Sequence, residues 1–264
     1  MRGRGTIAIC LIALFAWAAP AHAGAWTLPE GRTQILAGVT YSRATSGFDA
    51  HGADVVPIAY EKILTQIHAE YGWNDWLTLI LAPEYAHARL LAPLRKPVIA
   101  DDTAIAGGAR VRLFKDIGIF SVQFTAKTAG AFDMSVSADG ASGSQFELRL
   151  LYGTNFKLFG FNGFFDAQIG ERLIAGPRAD EIPADLTAGL SINRHTKLII
   201  QSFNILTQGN ARPPFSDFRS HKLSLSVVRY IRKGLWLETE SYVSPVGKNA
   251  LAETGVMVRA WVEF

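Results

Sequence analysis

Apolar and polar residues alternate with a period of two along most of this chain. Phe120, Val122 and Phe124, for example, alternate with Ser121 and Gln123. A period of two places alternate residues on opposite faces of a β-strand, whereas a helix has a period of 3.6. Beyond the first residues, no run approaches the ~18 consecutive apolar residues of a membrane helix. The sequence therefore predicts an all-β protein whose strands have one apolar and one polar face.

Twelve segments show this pattern, and each has about the 9–12 residues that a tilted strand needs to cross a bilayer. One of them, 197–206, is apolar on both faces, and its sequence leaves its phase open. The predicted strands are residues 32–42, 61–71, 77–86, 104–114, 117–128, 145–156, 163–172, 184–193, 197–206, 221–231, 235–243 and 253–264.

The connections between these segments alternate between long and short, as in outer-membrane barrels with external loops and periplasmic turns. In hydrocarbon every backbone N–H and C=O group needs a partner, so the first and last strands should pair. These features predict a transmembrane antiparallel up-and-down β-barrel of about twelve strands, with both termini periplasmic. A soluble lipocalin-like barrel or a soluble β-sandwich is the alternative. The predicted long loops are residues 43–60, 87–103, 129–144, 173–183, 207–220 and 244–252.

The first residues resemble a secretory signal peptide. Arg2 and Arg4 precede an apolar run over 6–19, and Ala21-His22-Ala23 has the small-x-small pattern of a cleavage site. We expect residues 1–23 to be a signal peptide and residues 24–264 to form the barrel domain. Cleavage removes the single cysteine and reduces the excess of basic over acidic residues from three to one. We therefore expect no disulfide and no nucleic-acid partner.

A charge facing lipid near the bilayer midplane costs about 2–4 kcal/mol, so charged residues of the polar faces should point into the lumen. Arg259 should face inward beside Glu238 or Glu240. Such charges either line a water-filled pathway or pair across a narrow, plugged bore. The lumen-lining candidates are Lys62, Glu70, Arg110, Arg112, Lys127, Glu147, Arg149, Asp166, Arg172, Glu238, Glu240 and Arg259. Of these, Arg110, Arg112, Glu147, Arg149, Glu238, Glu240 and Arg259 should form a cross-strand ladder of opposite charges.

No arrangement typical of an enzyme stands out. His221 and Ser224 share a predicted strand, but their spacing of three places them on opposite faces. The six histidines lack metal-ligand spacing, and His68 is best interpreted as a hydrogen-bonded structural residue. We expect no catalytic residue, no metal site and no cofactor.

Two stretches resemble outer-membrane proteins. The C-terminal VMVRAWVEF is similar to the last strand of bacterial barrels, which implies recognition by the barrel-assembly machinery. AEYGWNDWLTLILAPEY, residues 69–85, resembles the transporter family annotated with the phenol-degradation meta pathway, which implies the same fold and a role in transport. The residues that match the terminal-strand signal are Val256, Val258, Ala260, Val262 and Phe264.

We therefore expect an outer-membrane channel or transporter for small solutes with a charge-lined lumen. A structural or adhesion and biofilm-related barrel that acts through its loops is the alternative, and an outer-membrane lipid hydrolase is a third hypothesis. The expected partners are outer-membrane lipid, the assembly machinery and a small solute.

Overall fold

The computed structural model describes residues 24–91, 98–128 and 143–264. The predicted signal peptide, 1–23, and most of the predicted loop 129–144 lie outside these residues. Within the described ranges, no helix is long and apolar enough to cross a membrane.

The described residues form one closed antiparallel sheet, in which each long strand pairs with its neighbours along the chain and β1 also pairs with β13. Twelve long strands make the barrel wall, as predicted, and the two-residue β12 extends its seam along β1. The strands are β1 (Thr33–Phe48), β2 (Asp54–Asn74), β3 (Leu77–Leu91), β4 (Val98–Phe114), β5 (Ile119–Lys127), β6 (Gln145–Leu158), β7 (Phe161–Ile174), β8 (Glu181–Asn193), β9 (Thr196–Thr207), β10 (Arg219–Arg232), β11 (Leu235–Lys248), β12 (Ala250–Leu251) and β13 (Thr254–Glu263).

The strands extend further than the sequence predicts, so several predicted loops are mostly strand. Of the predicted loop 43–60, only residues 49–53 lie outside β1 and β2, and β11 continues to Lys248. The outward side chains need to be apolar only where they contact lipid, so the alternation ends at the edge of the lipid layer. Backbone hydrogen bonds between strands do not depend on side-chain polarity, so the strands continue past that edge.

The tight connections between strands, such as Asp75–Trp76, lie together at one end of the barrel, which we call the turn end. The longer connections lie at the other end, which we call the loop end.

The outer face of the barrel is apolar. Val39, Ile67, Leu81, Leu150 and Val258 all leave about half of their side-chain surface exposed. The twelve charged candidates, by contrast, are all buried or half-buried. A soluble barrel would have the opposite distribution. The soluble alternative therefore does not fit this structure.

The strand of open phase, β9, turns Lys197 and Ile199 inward, where both are buried, and Leu198 and Ile200 outward. Its inner face is apolar near the turn end because Ile199 belongs to a buried apolar cluster inside the barrel. This cluster explains why alternation fails in the sequence of that segment.

The seam between β1 and β13 runs over ten residue pairs, from Gln34↔Glu263 to Arg43↔Thr254. Phe264 extends the seam by one step, because its backbone N–H donates to the Thr33 carbonyl at 3.0 Å. Its side chain is exposed on the outer, apolar face. Both ends of the barrel wall therefore meet at the turn end.

We expect Phe264→Asp to reduce the yield of folded barrel, because it places a charge on the apolar outer face at the residue that ends the seam. Heat-modifiable electrophoresis of outer-membrane fractions measures the folded yield. Ile117→Asp, at an exposed turn residue, is the matched control. Equal yields of the two variants would contradict a special role for Phe264.

Candidate functional site

Residues 24–28, which we call the N-terminal segment, lie inside the barrel wall near the turn end. Ala25, Trp26 and Leu28 are buried there, and none of the segment belongs to the sheet. The segment is held by wall side chains: Ser121 Oγ donates to the Ala25 carbonyl at 2.5 Å, and the Leu28 N–H donates to Thr78 Oγ1 at 2.8 Å. It therefore occupies space that an open pore would leave to water.

Trp26 completes an apolar cluster that crosses the lumen, which we call the septum. The Trp26 ring meets the Phe164 ring edge-on, with 6.0 Å between centroids. Gly153 makes room for it, since a Cβ there would lie 2.8 Å from the indole. Strands from opposite parts of the wall contribute the other members. The septum consists of Trp26, Leu36, Phe164, Ile199, Val228 and Trp261.

A cavity of about 890 Å³ opens at the turn end. It is lined by Phe164, Lys197, Tyr230 and Trp236, among others. Lys197 Nζ lies 4.7 Å from the centroid of the Trp236 ring. Since Phe164 belongs to both the cavity and the septum, the cavity extends from the turn end to the septum.

A buried ion pair joins β2 to β4 beside the N-terminal segment. Arg110 Nη2 and Nη1 donate to the two oxygens of Glu70 at 2.8 and 3.2 Å, and both side chains are almost fully buried. Arg110 also donates to Gln123 Oε1 and, at 2.9 Å, to the Trp26 carbonyl. His68 Nε2 lies 3.0 Å from Glu70 Oε1, which gives this histidine the hydrogen-bonded place expected for it. Arg110 thus links the wall to the N-terminal segment inside the lumen.

A second charged group lies on β6, β7 and β8. Arg172 donates to Glu147 and to Glu181, each at 2.7 Å. Arg149 donates to Glu147 on its own strand and to Asp185 two strands away. Positive and negative side chains alternate in this group, so its charges largely neutralise one another.

A third group lies on β11 and β13. Arg259 donates to Glu238 Oε2 through Nη2 at 2.6 Å and Nε at 2.8 Å. Trp261, a septum residue, donates its indole N–H to the same oxygen at 2.7 Å. Glu240, the next inward residue of β11, accepts a hydrogen bond from Ser226 Oγ at 3.2 Å. Glu238 is therefore the partner of Arg259, and Glu240 is not.

The remaining candidates lie apart from these groups. Lys127 pairs with Glu84 at 2.7 Å across the lumen face. Lys62 and Arg112 are half-buried on the inner face of β2 and β4. Asp166 is buried at the start of the N-terminal segment. The predicted cross-strand pairs of opposite charge thus occur, but in separate groups, and within the described ranges Arg112 and Glu240 form no ion pair. Long side chains reach over neighbouring strands and also bond residues of their own strand.

The structure adds site residues that the sequence does not single out. The N-terminal segment is too short to show a period, although its tryptophan ahead of the first strand is a signal of burial. Further charged residues face inward. Glu181 lies in the predicted loop 173–183, Lys197 begins the strand of open phase, and the rest lie on the polar faces of predicted strands, near their ends. These residues are Glu84, Glu181, Asp185, Lys197, Lys222 and Glu253. No group of three metal-ligating side chains occurs in the ranges that the structure describes.

Solved structures share this architecture. The COG4313 outer membrane channel from Pseudomonas putida F1 is similar with a TM-score of 0.69 and 14% identity, over 93% of this chain and 99% of that chain. The translocator domain of autotransporter NalP from Neisseria meningitidis has a TM-score of 0.57 and 11% identity, over 90% and 89%. The NanC porin has a TM-score of 0.53 and 7% identity, over 86% and 98%. This chain has the fold of outer-membrane β-barrels.

No protein-family model and no curated protein matches the chain. At the low identities of the solved structures, the likeness bears on the fold alone.

Proposed function

We propose that the chain is an outer-membrane channel for small solutes, and that the N-terminal segment holds it in a nearly closed state. The turn end faces the periplasm and the loop end faces outward, as in other barrels of this kind. The resemblance of residues 69–85 to the transporter family of the phenol-degradation meta pathway agrees with a transport role.

One observation carries this proposal: the N-terminal segment, including the septum residue Trp26, lies inside the lumen but outside the sheet. The N-terminal segment makes no strand pairing, so it can leave the lumen without breaking a single inter-strand hydrogen bond of the wall. Above and beside it, the inner face is polar and charged, a surface that water and small polar solutes wet readily.

Single-channel recording in planar bilayers tests the proposal. We expect small discrete current steps from the wild type and several-fold larger steps from Trp26→Ala, because this change removes the one septum ring that is not anchored in the wall. Trp73→Ala, at an exposed tryptophan of β2, is the matched control and should behave as wild type. Silence of both the wild type and Trp26→Ala would favour the structural or adhesion role.

A further inference from the structure

Asp166 is a buried carboxylate whose hydrogen bonds, within the described ranges, come from uncharged donors. Only 2% of its surface is exposed. It accepts hydrogen bonds from the Ala25 backbone N–H and from Gln168 Nε2, each at 2.7 Å, and neither donor carries a charge. Asp166 forms no ion pair with the side chains that the structure describes. An ionised carboxylate buried in this way is costly without an opposite charge.

Gly24 lies directly against this carboxylate. A Cβ at Gly24 would be 2.0 Å from Asp166 Oδ2 and 2.2 Å from its Cγ, so a side chain has no room there. The backbone nitrogen of Gly24 is bonded to the same Cα at ~1.46 Å, which places it within about 5 Å of that oxygen. Arg110 attracts this carboxylate without forming an ion pair with it. The amino end of Gly24 offers a position for a charge in direct contact with Asp166.

Gly24 is also the first residue after the predicted cleavage site. Hydrolysis of the Ala23–Gly24 peptide bond by a signal peptidase consumes one water, leaves a carboxylate on Ala23 and leaves an amine on Gly24. That amine is protonated at neutral pH, since an α-amino group has a pKa of about 8.

We propose that Asp166 is the binding site for the α-ammonium group of Gly24, so that removal of the signal peptide creates the ion pair that seats the N-terminal segment. The site requires both a free amine and a glycine at this position. It rests on the predicted cleavage after Ala23 and on the geometry of the segment, and it does not require the lumen to conduct.

Chemical labelling of the amine tests the site in the purified mature protein, whose N-terminus is first established by intact mass. The folded barrel is treated with an N-hydroxysuccinimide acetate at neutral pH, and acetylation of Gly24 is followed by mass spectrometry. A paired, buried amine reacts only when the segment opens, so we expect labelling at least about tenfold slower than in the unfolded chain, equivalent to about 1.4 kcal/mol.

Asp166→Asn should abolish this protection, whereas Glu171→Gln, an exposed carboxylate on the outer face of the same strand, should retain it. Gly24→Ala keeps the charge of Asp166 but adds the clashing Cβ, and an alanine inserted before Gly24 moves the amine away. In both of these variants the N-terminal amine should be acetylated rapidly while the barrel remains heat-modifiable. They therefore test the ion pair even if Asp166→Asn fails to fold.

Equal labelling rates in the folded wild type and the unfolded chain would overturn the proposal, as would protection that persists in Asp166→Asn or in Gly24→Ala. A mature protein that begins elsewhere than Gly24 would also overturn it. Labelling reports the contact and single-channel recording reports the function, so the two proposals can fail separately.

Discussion

We expect Arg110→Met to lower the free energy of unfolding by about 3–5 kcal/mol, the usual cost of removing one member of a buried ion pair. Glu70 would remain buried, with His68 as its remaining side-chain partner among the described residues. The change also removes the hydrogen bond to the Trp26 carbonyl, so the N-terminal segment should loosen together with the wall. Urea titration of the folded barrel, followed by tryptophan fluorescence and heat-modifiable electrophoresis, measures the loss.

The double variant Glu70→Gln/Arg110→Met should recover part of this loss, because it leaves no uncompensated charge in the lumen. The matched control is Arg112→Met, two residues along the same strand. Arg112 is only half-buried and forms no ion pair within the described ranges, so its replacement should cost much less. Arg112→Met could instead lower the free energy of unfolding as much as Arg110→Met does. The loss would then come from removing any inward-facing charge of β4, and not from breaking the ion pair with Glu70.

The second large effect is expected from Arg259→Glu, which places a carboxylate next to the fully buried Glu238. Reversal of one charge at about 4 Å from a passing ion changes its energy by about 2 kcal/mol even in water. In molecules that fold, the ratio of potassium to chloride permeability should therefore rise several-fold. The measurement is the reversal potential in a salt gradient across a planar bilayer.

Two further variants separate charge from packing at this position. Arg259→Lys should keep the wild-type selectivity, and Arg259→Gln should give an intermediate value. If Arg259→Glu conducts with unchanged selectivity, ions do not pass this part of the lumen. Because repulsion from Glu238 also reduces the folded yield, the recordings are normalised to heat-modifiable protein.

Much of the fold follows from the sequence because a period of two fixes which face of each strand meets lipid. Val256 and Val258 face outward, so Arg259 has to face inward, and the structure shows this arrangement. The partner of Arg259 does not follow in the same way. Glu238 and Glu240 share one face, and the register between β11 and β13, which pairs Glu238 with Arg259, is a property of the assembled sheet.

The contents of the lumen could be predicted only in part. Arg149 bonds Glu147 on its own strand and Asp185 two strands away, because a long side chain in a curved wall reaches several neighbours. The N-terminal segment makes contacts with residues up to 141 positions away, and no local pattern encodes such contacts. Ile199 faces inward because it belongs to the septum, which includes Trp26 of this segment. An apolar residue on the inner face hides the alternation, and the phase of β9 could therefore not be predicted.

Two residues far apart in the sequence are built into the barrel, since Gly24 lies in the lumen and Phe264 ends the seam. A purification tag or fusion partner at either residue would therefore alter the molecule that it is meant to report on. The exposed residues Pro213 and Pro214, in the connection between β9 and β10, offer a better site for a tag. An epitope there would leave both Gly24 and Phe264 unchanged.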